Sequence, residues 1–237
     1  AALAQLIGRR LVRQDEQAGI ALLPALRQVI YGELPVETRE QYHLQAAAIR
    51  AERGDYTAAA YHLAHADQAE AAVALWYANR TTEINRGQAR AALAIFEQIS
   101  LRRLGPKRQK ELQLLRSELY QLFGEPAKVV ENLRAAAWPP AEATSVEAAL
   151  LLGKALDLQG QTDAAHTAYA DGLTVAAGLL SKMVHLHTQR SLSYLHERDL
   201  TLAWQEANRA RYLAENMVGT LHEQSGQLEA AHTHYTA

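Results

Sequence analysis

Apolar and small residues recur along this chain in steps of four and then three. In "GQTDAAHTAYADG", which begins at Gly160, Ala165, Tyr169 and Gly172 follow the glycine at +5, +9 and +12. The layout returns in "GDYTAAAYHLAHA" from Gly54, "GQARAALAIFEQI" from Gly87, "GEPAKVVENLRAA" from Gly124, "RDLTLAWQEANRA" from Arg198 and "GQLEAAHTHYTA" from Gly226. Steps of four and three keep side chains on one face of a helix. At +5 stand Ala59, Ala92, Val129, Ala165, Ala203 and Ala231, small enough to let two helix backbones approach. At +9 stand Leu63, Phe96, Leu133, Tyr169, Ala207 and Tyr235, mostly large, to fill the space beside the small residue. At +12 come Ala66, Ile99, Ala136, Gly172 and Ala210.

Each of these helices has a partner upstream. The amphipathic stretches "REQYHLQAAAIRAER", "KELQLLRSELYQLF", "VEAALLLGKALDLQ" and "MVHLHTQRSLSYLHE" end just before an anchor. Tyr120, Leu156 and Tyr194 stand four residues before theirs, and Gly153 and Gly219 seven before. The glycine between the two helices suits a left-handed turn. The unit is therefore a helix, a short turn and a second helix. Anchor spacings are 33, 37, 36, 38 and 28 residues. Breaks fall at "SLRRLGPKR" and "AAAWPPAEATS", where Pro106, Pro139 and Pro140 stop helices. The last spacing is too short for two full helices. It predicts either a tight final linker or, the favoured reading, a stretch absent near Glu215–Asn216.

Residues 1–35 do not fit the repeat. "AALAQLIGRR" reads as a helix, and "LVRQDEQAGIALLP" as two short strands around a polar turn, Gln14 to Gly19. "PALRQVIYGEL" then opens with Pro24 near a helix N-terminus and runs apolar at Leu26, Val29, Ile30 and Leu34. Helix, ribbon, helix is the tail of a winged-helix domain, and an irregular capping pair is the alternative. The expected division is 1–35 for this remnant and 36–237 for the repeat array, with anchors near 54, 87, 124, 160, 198 and 226.

Composition agrees with close-packed helices. Hydrophobic residues are 49% and aromatics only 6%, so the apolar content is mostly Ala and Leu, which favour helices over strands. A net charge of −2 supplies no global basic field toward nucleic acid or an anionic membrane. With no cysteine there is no disulfide or thiolate chemistry. No run of 18 apolar residues is present, and "AALAQLIG" does not read as a signal peptide. The expected compartment is cytoplasmic. The chain, which starts without Met and stops in an apparent helix, reads as a piece of a longer protein.

Catalytic signatures fail one by one. Gly153-Lys154 lacks the upstream glycine of a phosphate-binding loop, because Ala148 stands there. His196-Glu197 is followed by Leu200, and His222-Glu223 by Gly226, where a zinc protease needs a second histidine. No G-x-S-x-G occurs. No enzyme, cofactor or metal is expected. The i,i+2 pairs His185/His187 and His232/His234 point apart on a helix. His62 and His65 share a face but need further ligands. The plainer expectation is histidines at helix seams, with His43 hydrogen-bonded to His62.

Two surfaces remain. The basic run Arg102, Arg103, Lys107, Arg108 and Lys110 reads as a solvated linker or as a dock for an acidic partner, and no aromatics interleave with it. In stacked helix pairs the first helix of each unit lines the concave face, the usual extended binding surface. Counting back from the anchors puts Glu118, Gln121, Lys154, Asp157, Gln189 and His196 there.

The unit resembles the tetratricopeptide repeat, roughly over residues 37–237. Gly153, Leu156, Gly160, Ala165 and Tyr169 stand where that family places a small residue, a bulky one, glycine, alanine and an aromatic, and Trp76 stands at its early tryptophan. Arg198 in place of a glycine, Arg80 in place of a small residue and three long spacings depart from it. The resemblance implies an all-α, right-handed superhelical solenoid of about six helix-turn-helix repeats behind a short winged-helix-like remnant. The order of a wing, then Arg39, His43, Ala46–Ala48, Gly54 and His62, is similar to the large signal-transducing NTPases called STAND proteins. These include transcription activators of the maltose-regulator and antibiotic-regulator types. That resemblance implies a sensor arm with an ATPase module upstream in the same chain. A protein, peptide or small-molecule inducer would bind its concave face. Neither a membrane nor direct nucleic-acid binding is expected. A stand-alone scaffold that recruits protein partners is the alternative. The chaperone-type carboxylate clamp of the repeat family is not visible.

Overall fold

A computed structural model describes residues 11–14, 20–139, 142–176 and 178–235. Among these the fold is all-helical apart from one strand pair. Strands β1 (Val12–Gln14) and β2 (Ile20–Leu22) pair antiparallel, with Val12 opposite Leu22 and Gln14 opposite Ile20. The turn between them and the expected first helix, residues 1–10, lie outside the described residues. Helices α1 (Pro24–Glu33), α2 (Val36–Glu52), α3 (Tyr56–His65), α4 (Ala69–Asn85) and α5 (Ala89–Glu97) follow. After a single 3₁₀ turn at Leu101–Arg103 come α6 (Pro106–Leu122), α7 (Pro126–Arg134), α8 (Ala143–Leu158) and α9 (Thr162–Val175). Then come α10 (Leu180–His196), α11 (Leu200–Gln224) and α12 (Leu228–Tyr235). The chain divides into two compact units, Ala1–Ala72 and Val73–Ala237.

Helices pack as neighbours in sequence: α2 on α3, α6 on α7, α8 on α9, α10 on α11 and α11 on α12. Trp76 of α4 meets Phe96 of α5 edge-on, with ring centroids 5.4 Å apart, and both are fully buried. Short loops force this adjacency, because an antiparallel neighbour is the nearest partner for an apolar stripe.

One backbone motif recurs at all six anchors. Gly54, Gly87, Gly124, Gly160 and Gly226 have φ between 70° and 78°, and Arg198 takes the same left-handed conformation at 64°. Each anchor N–H donates to the carbonyl three residues back, as from Gly160 to Asp157 at 2.9 Å and from Arg198 to Leu195 at 3.1 Å. The next N–H then reaches the carbonyl four before the anchor, as from Gln161 to Leu156 at 2.9 Å and from Asp199 to Tyr194 at 3.0 Å. These paired bonds satisfy carbonyls that a helix end leaves open, and glycine adopts the required φ without a Cβ penalty.

The small residues at +5 sit in the seams. Ala59, Ala92, Val129 and Ala165 are fully buried and Ala203 nearly so. At +9 Phe96, Leu133 and Tyr169 are buried, but Ala207 is exposed. In that unit the buried neighbour is Glu206, which accepts a hydrogen bond from the His187 ring on α10. A polar pair has replaced the apolar filler, so the offset shifts by one residue. The side chains of Ala231 and Tyr235 lie outside the described ones. The main core runs through α6–α10 and includes Leu114, Val129, Leu133, Leu156, Tyr169 and Leu186.

Two details depart from a regular array. The 28-residue spacing is met by one continuous 25-residue helix, α11, which passes through Glu215 and Asn216 without a break. The second helix of one unit and the first of the next are fused, which removes the loop that a longer spacing needs. The apolar run of α1 is not a core stripe: Val29 is 63% and Ile30 42% exposed.

Candidate functional site

Four helices of the second unit carry the first-helix positions of their pairs: α4, α6, α8 and α10. Packing of α6 on α8 and of α8 on α10 sets them side by side. Arg80 of α4 stands at a position where the repeat pattern asks for a small residue. Its guanidinium lies 3.2 Å from a Glu118 carboxylate oxygen on α6 and 3.4 Å from Glu147 on α8. It also packs on the Tyr77 ring, 4.3 Å from the centroid, and donates to the Tyr77 carbonyl at 3.0 Å. Tyr77 donates its hydroxyl to Glu147 at 3.1 Å, and Lys182 of α10 reaches the other Glu147 oxygen at 2.6 Å. Two cations and two carboxylates thus bridge four helices.

Partial burial makes these charges matter. Burial pushes the Glu118 carboxyl up, with Arg80 pulling it down and Glu147 adding to the rise. Burial, then Glu147, raises the Tyr77 hydroxyl above its ordinary value, so it stays a donor well into the alkaline range. The network is balanced and hydrogen-bonded, ties the four helices together and leaves mixed charge partly exposed. It holds no activated nucleophile.

A second tie lies nearly three turns further along α8, at Asp157. Asp157 accepts from the Tyr169 hydroxyl at 2.8 Å and from Ser193 Oγ at 2.7 Å, which links α8, α9 and α10. Burial, followed by the Asp157 contact, raises the Tyr169 hydroxyl out of its titrating range. Lys154, on the same helix, is half-buried and makes no ion pair among the described residues. Burial alone lowers its ammonium below the ordinary lysine value.

The sequence-predicted residues therefore divide. Glu118 belongs to the ion network, Asp157 is committed to an internal tie, and Lys154 is the half-buried cation. Gln121 and Gln189 are half-buried and His196 is exposed, and none of their side chains joins either network. Tyr77, Arg80, Glu147 and Lys182 were not picked from the sequence, although two signals pointed to them. Arg80 breaks the small-residue pattern, and Glu147 and Lys182 stand seven residues before Lys154 and Gln189, on the same helix faces.

The basic run folds around the turn between α5 and α6. Arg102, Arg103 and Lys107 are exposed. Arg108 pairs with buried Glu111, and Lys110 lies 2.9 Å from Glu142. Arg108 and Lys110 are thus neutralised by carboxylates.

Several histidines sit at seams, whereas His65, His185, His196 and His232 are exposed. His43 Nδ1 lies 2.9 Å from His62 Nδ1, the pairing expected from the sequence, and its Nε2 lies 2.9 Å from the Tyr31 hydroxyl. His166 stacks on Tyr194 and contacts Glu197 at 2.9 Å. His234 contacts Glu215 at 2.6 Å. No family profile and no curated protein matches the chain.

Proposed function

We propose that this chain is a non-catalytic recognition arm, built of tetratricopeptide-type repeats, that serves as the ligand sensor of a larger STAND-type NTPase regulating transcription. The observation that carries the repeat reading is the recurring turn. Six anchors share one left-handed geometry and one pair of hydrogen bonds, and the described small residues at +5 are buried. Arrays of this kind bind along the face formed by the first helix of each pair. The mixed-charge surface around Arg80, Glu118, Glu147, Lys182 and Lys154 lies on that face. It suits a protein or peptide segment carrying both signs of charge. The strand ribbon and α1 ahead of the repeats support the STAND reading, because a wing precedes the repeats in those proteins.

The mechanism would be a population shift. A partner on the four-helix face favours the state in which the NTPase assembles, by as much as its affinities for the two states differ. The test starts with the native polypeptide in its source cells, by intact mass and sequence upstream of Ala1. The expected result is a P-loop ATPase in the same chain, with basal ATP hydrolysis that rises when residues 36–237 are deleted. A native polypeptide that carries no NTPase refutes the sensor reading and leaves a stand-alone scaffold, to be followed by partner capture on the same face.

A further inference from the structure

Small residues at a helix seam leave a gap unless something fills it, and between α8 and α9 part of the gap is open. Ala148 and Ala149 on α8 face Ala168 and Gly172 on α9 around a cavity of about 220 Å³. The helices approach closely at Gly172, where an added Cβ would stand 2.9 Å from the Ala149 Cβ, and both residues line the cavity. Leu133 at the end of α7 and Trp138 in the following loop form another wall. That loop is held: the Trp138 indole N–H donates to the Leu133 carbonyl at 2.9 Å, and Ser145 Oγ donates to the Pro139 carbonyl at 2.6 Å.

The lining is apolar except at two points. The Ser145 hydroxyl is already used by Pro139, so it offers a ligand no free proton. Asp171 stands on the rim of the cavity, exposed, and its carboxylate has no hydrogen-bond or ion-pair partner among the described residues. Among the described residues no cation lines the pocket. An apolar cavity of about 150 Å³ admits benzene. The present one therefore has room for a ring with a two- or three-atom arm. Its single open charge is negative, and its wall includes an indole.

We propose that this pocket binds a small organic cation with an apolar body, of the aryl-alkylammonium class, with the ring under Trp138 and the ammonium at Asp171. The observations favour it over a carboxylate or a sugar, because the first meets no cation and the second no row of donors and acceptors. The site goes beyond the sensor reading and does not depend on it. It belongs to the chain itself, whichever partner the four-helix face takes.

The test is isothermal titration of the chain with three probes of matched shape: 2-phenylethylammonium, 2-phenylethanol and 3-phenylpropionate. The expected order is ammonium, then alcohol, then carboxylate, with up to about fivefold between the first two, the size of an exposed ion pair. Asp171→Asn, an exposed change that leaves the core intact, should bring the ammonium to the level of the alcohol. Asp171→Lys should make the carboxylate the tightest of the three. Equal affinities, an ammonium curve unchanged in Asp171→Asn, or no heat from the ammonium up to roughly 10 mM overturns the proposal. None of these outcomes bears on whether an NTPase lies in the native chain, so the two readings fail separately.

Discussion

Gly153→Ala tests whether the seams work by close backbone approach. A Cβ at Gly153 would lie 2.3 Å from Tyr169 Cε1 and 2.6 Å from Cδ1 and Cζ, whereas carbon atoms settle near 3.5–4.0 Å. The ring would have to retreat by more than about 1 Å. It has little room: Tyr169 is fully buried and its hydroxyl is held by Asp157, which also holds Ser193. Overpacking of a filled core costs about 1–3 kcal/mol. Breaking the Tyr169–Asp157 bond adds about 1 kcal/mol. Against this, alanine gains about 1 kcal/mol over glycine in helix propensity. The net expectation is a loss of about 1–3 kcal/mol, read from urea unfolding followed by circular dichroism at constant m-value. Repeating the change in a Tyr169→Leu background removes the ring. There the same substitution should cost little or raise stability by up to about 1 kcal/mol. If Gly153→Ala is neutral or stabilising with Tyr169 present, the close-approach argument is wrong.

Other changes follow the same logic. Arg198 holds a left-handed φ of 64° that costs a side-chain-bearing residue about 1–2 kcal/mol, partly offset by the entropy glycine loses on folding. Arg198→Gly should therefore raise stability by about 0.5–1 kcal/mol, visible as a higher urea midpoint. Arg116 donates to the Phe96 carbonyl from both Nε at 3.0 Å and Nη2 at 2.6 Å, and from Nη2 to the Ile99 carbonyl at 2.6 Å, which closes the end of α5, and burial lowers its guanidinium below its usual value. Arg116→Ala should cost about 1–3 kcal/mol, and Arg116→Lys should not recover it, because a single ammonium cannot span the fork; thermal melts of both variants decide this. The raised Glu118 carboxyl binds its proton more tightly folded than unfolded. Its contribution should therefore make the protein more stable as pH falls from neutral toward 4.5, the opposite of an ordinary ion-paired carboxylate. Glu118→Gln should flatten that part of a stability-against-pH curve, and an unchanged slope would show that Glu118 is not the group responsible.

The helix pairs, their turns and most of their seams were legible in the sequence, because each depends on residues within about 40 positions of one another. A glycine that allows left-handed φ, a small residue five positions on and a large one at nine describe one local packing problem, and the chain solves it repeatedly. Even the departure at Arg198 was visible, since the turn geometry survives there at the expense of strain. Tertiary structure decided the rest. The fusion of two helices into α11 depends on the stability of a continuous helix against a short loop, and spacing alone left that open. The replacement of an apolar filler by Glu206 depended on His187 arriving from the neighbouring helix. The ion network around Arg80 joins residues up to 102 positions apart, from Arg80 to Lys182, and no periodicity within one helix relates them. Burial gave each of those charges its meaning. Asp157, an exposed carboxylate by position on its helix, became an internal tie once Tyr169 and Ser193 closed over it, and the pocket beneath Trp138 exists only because a loop folds back on two helices that meet through small residues.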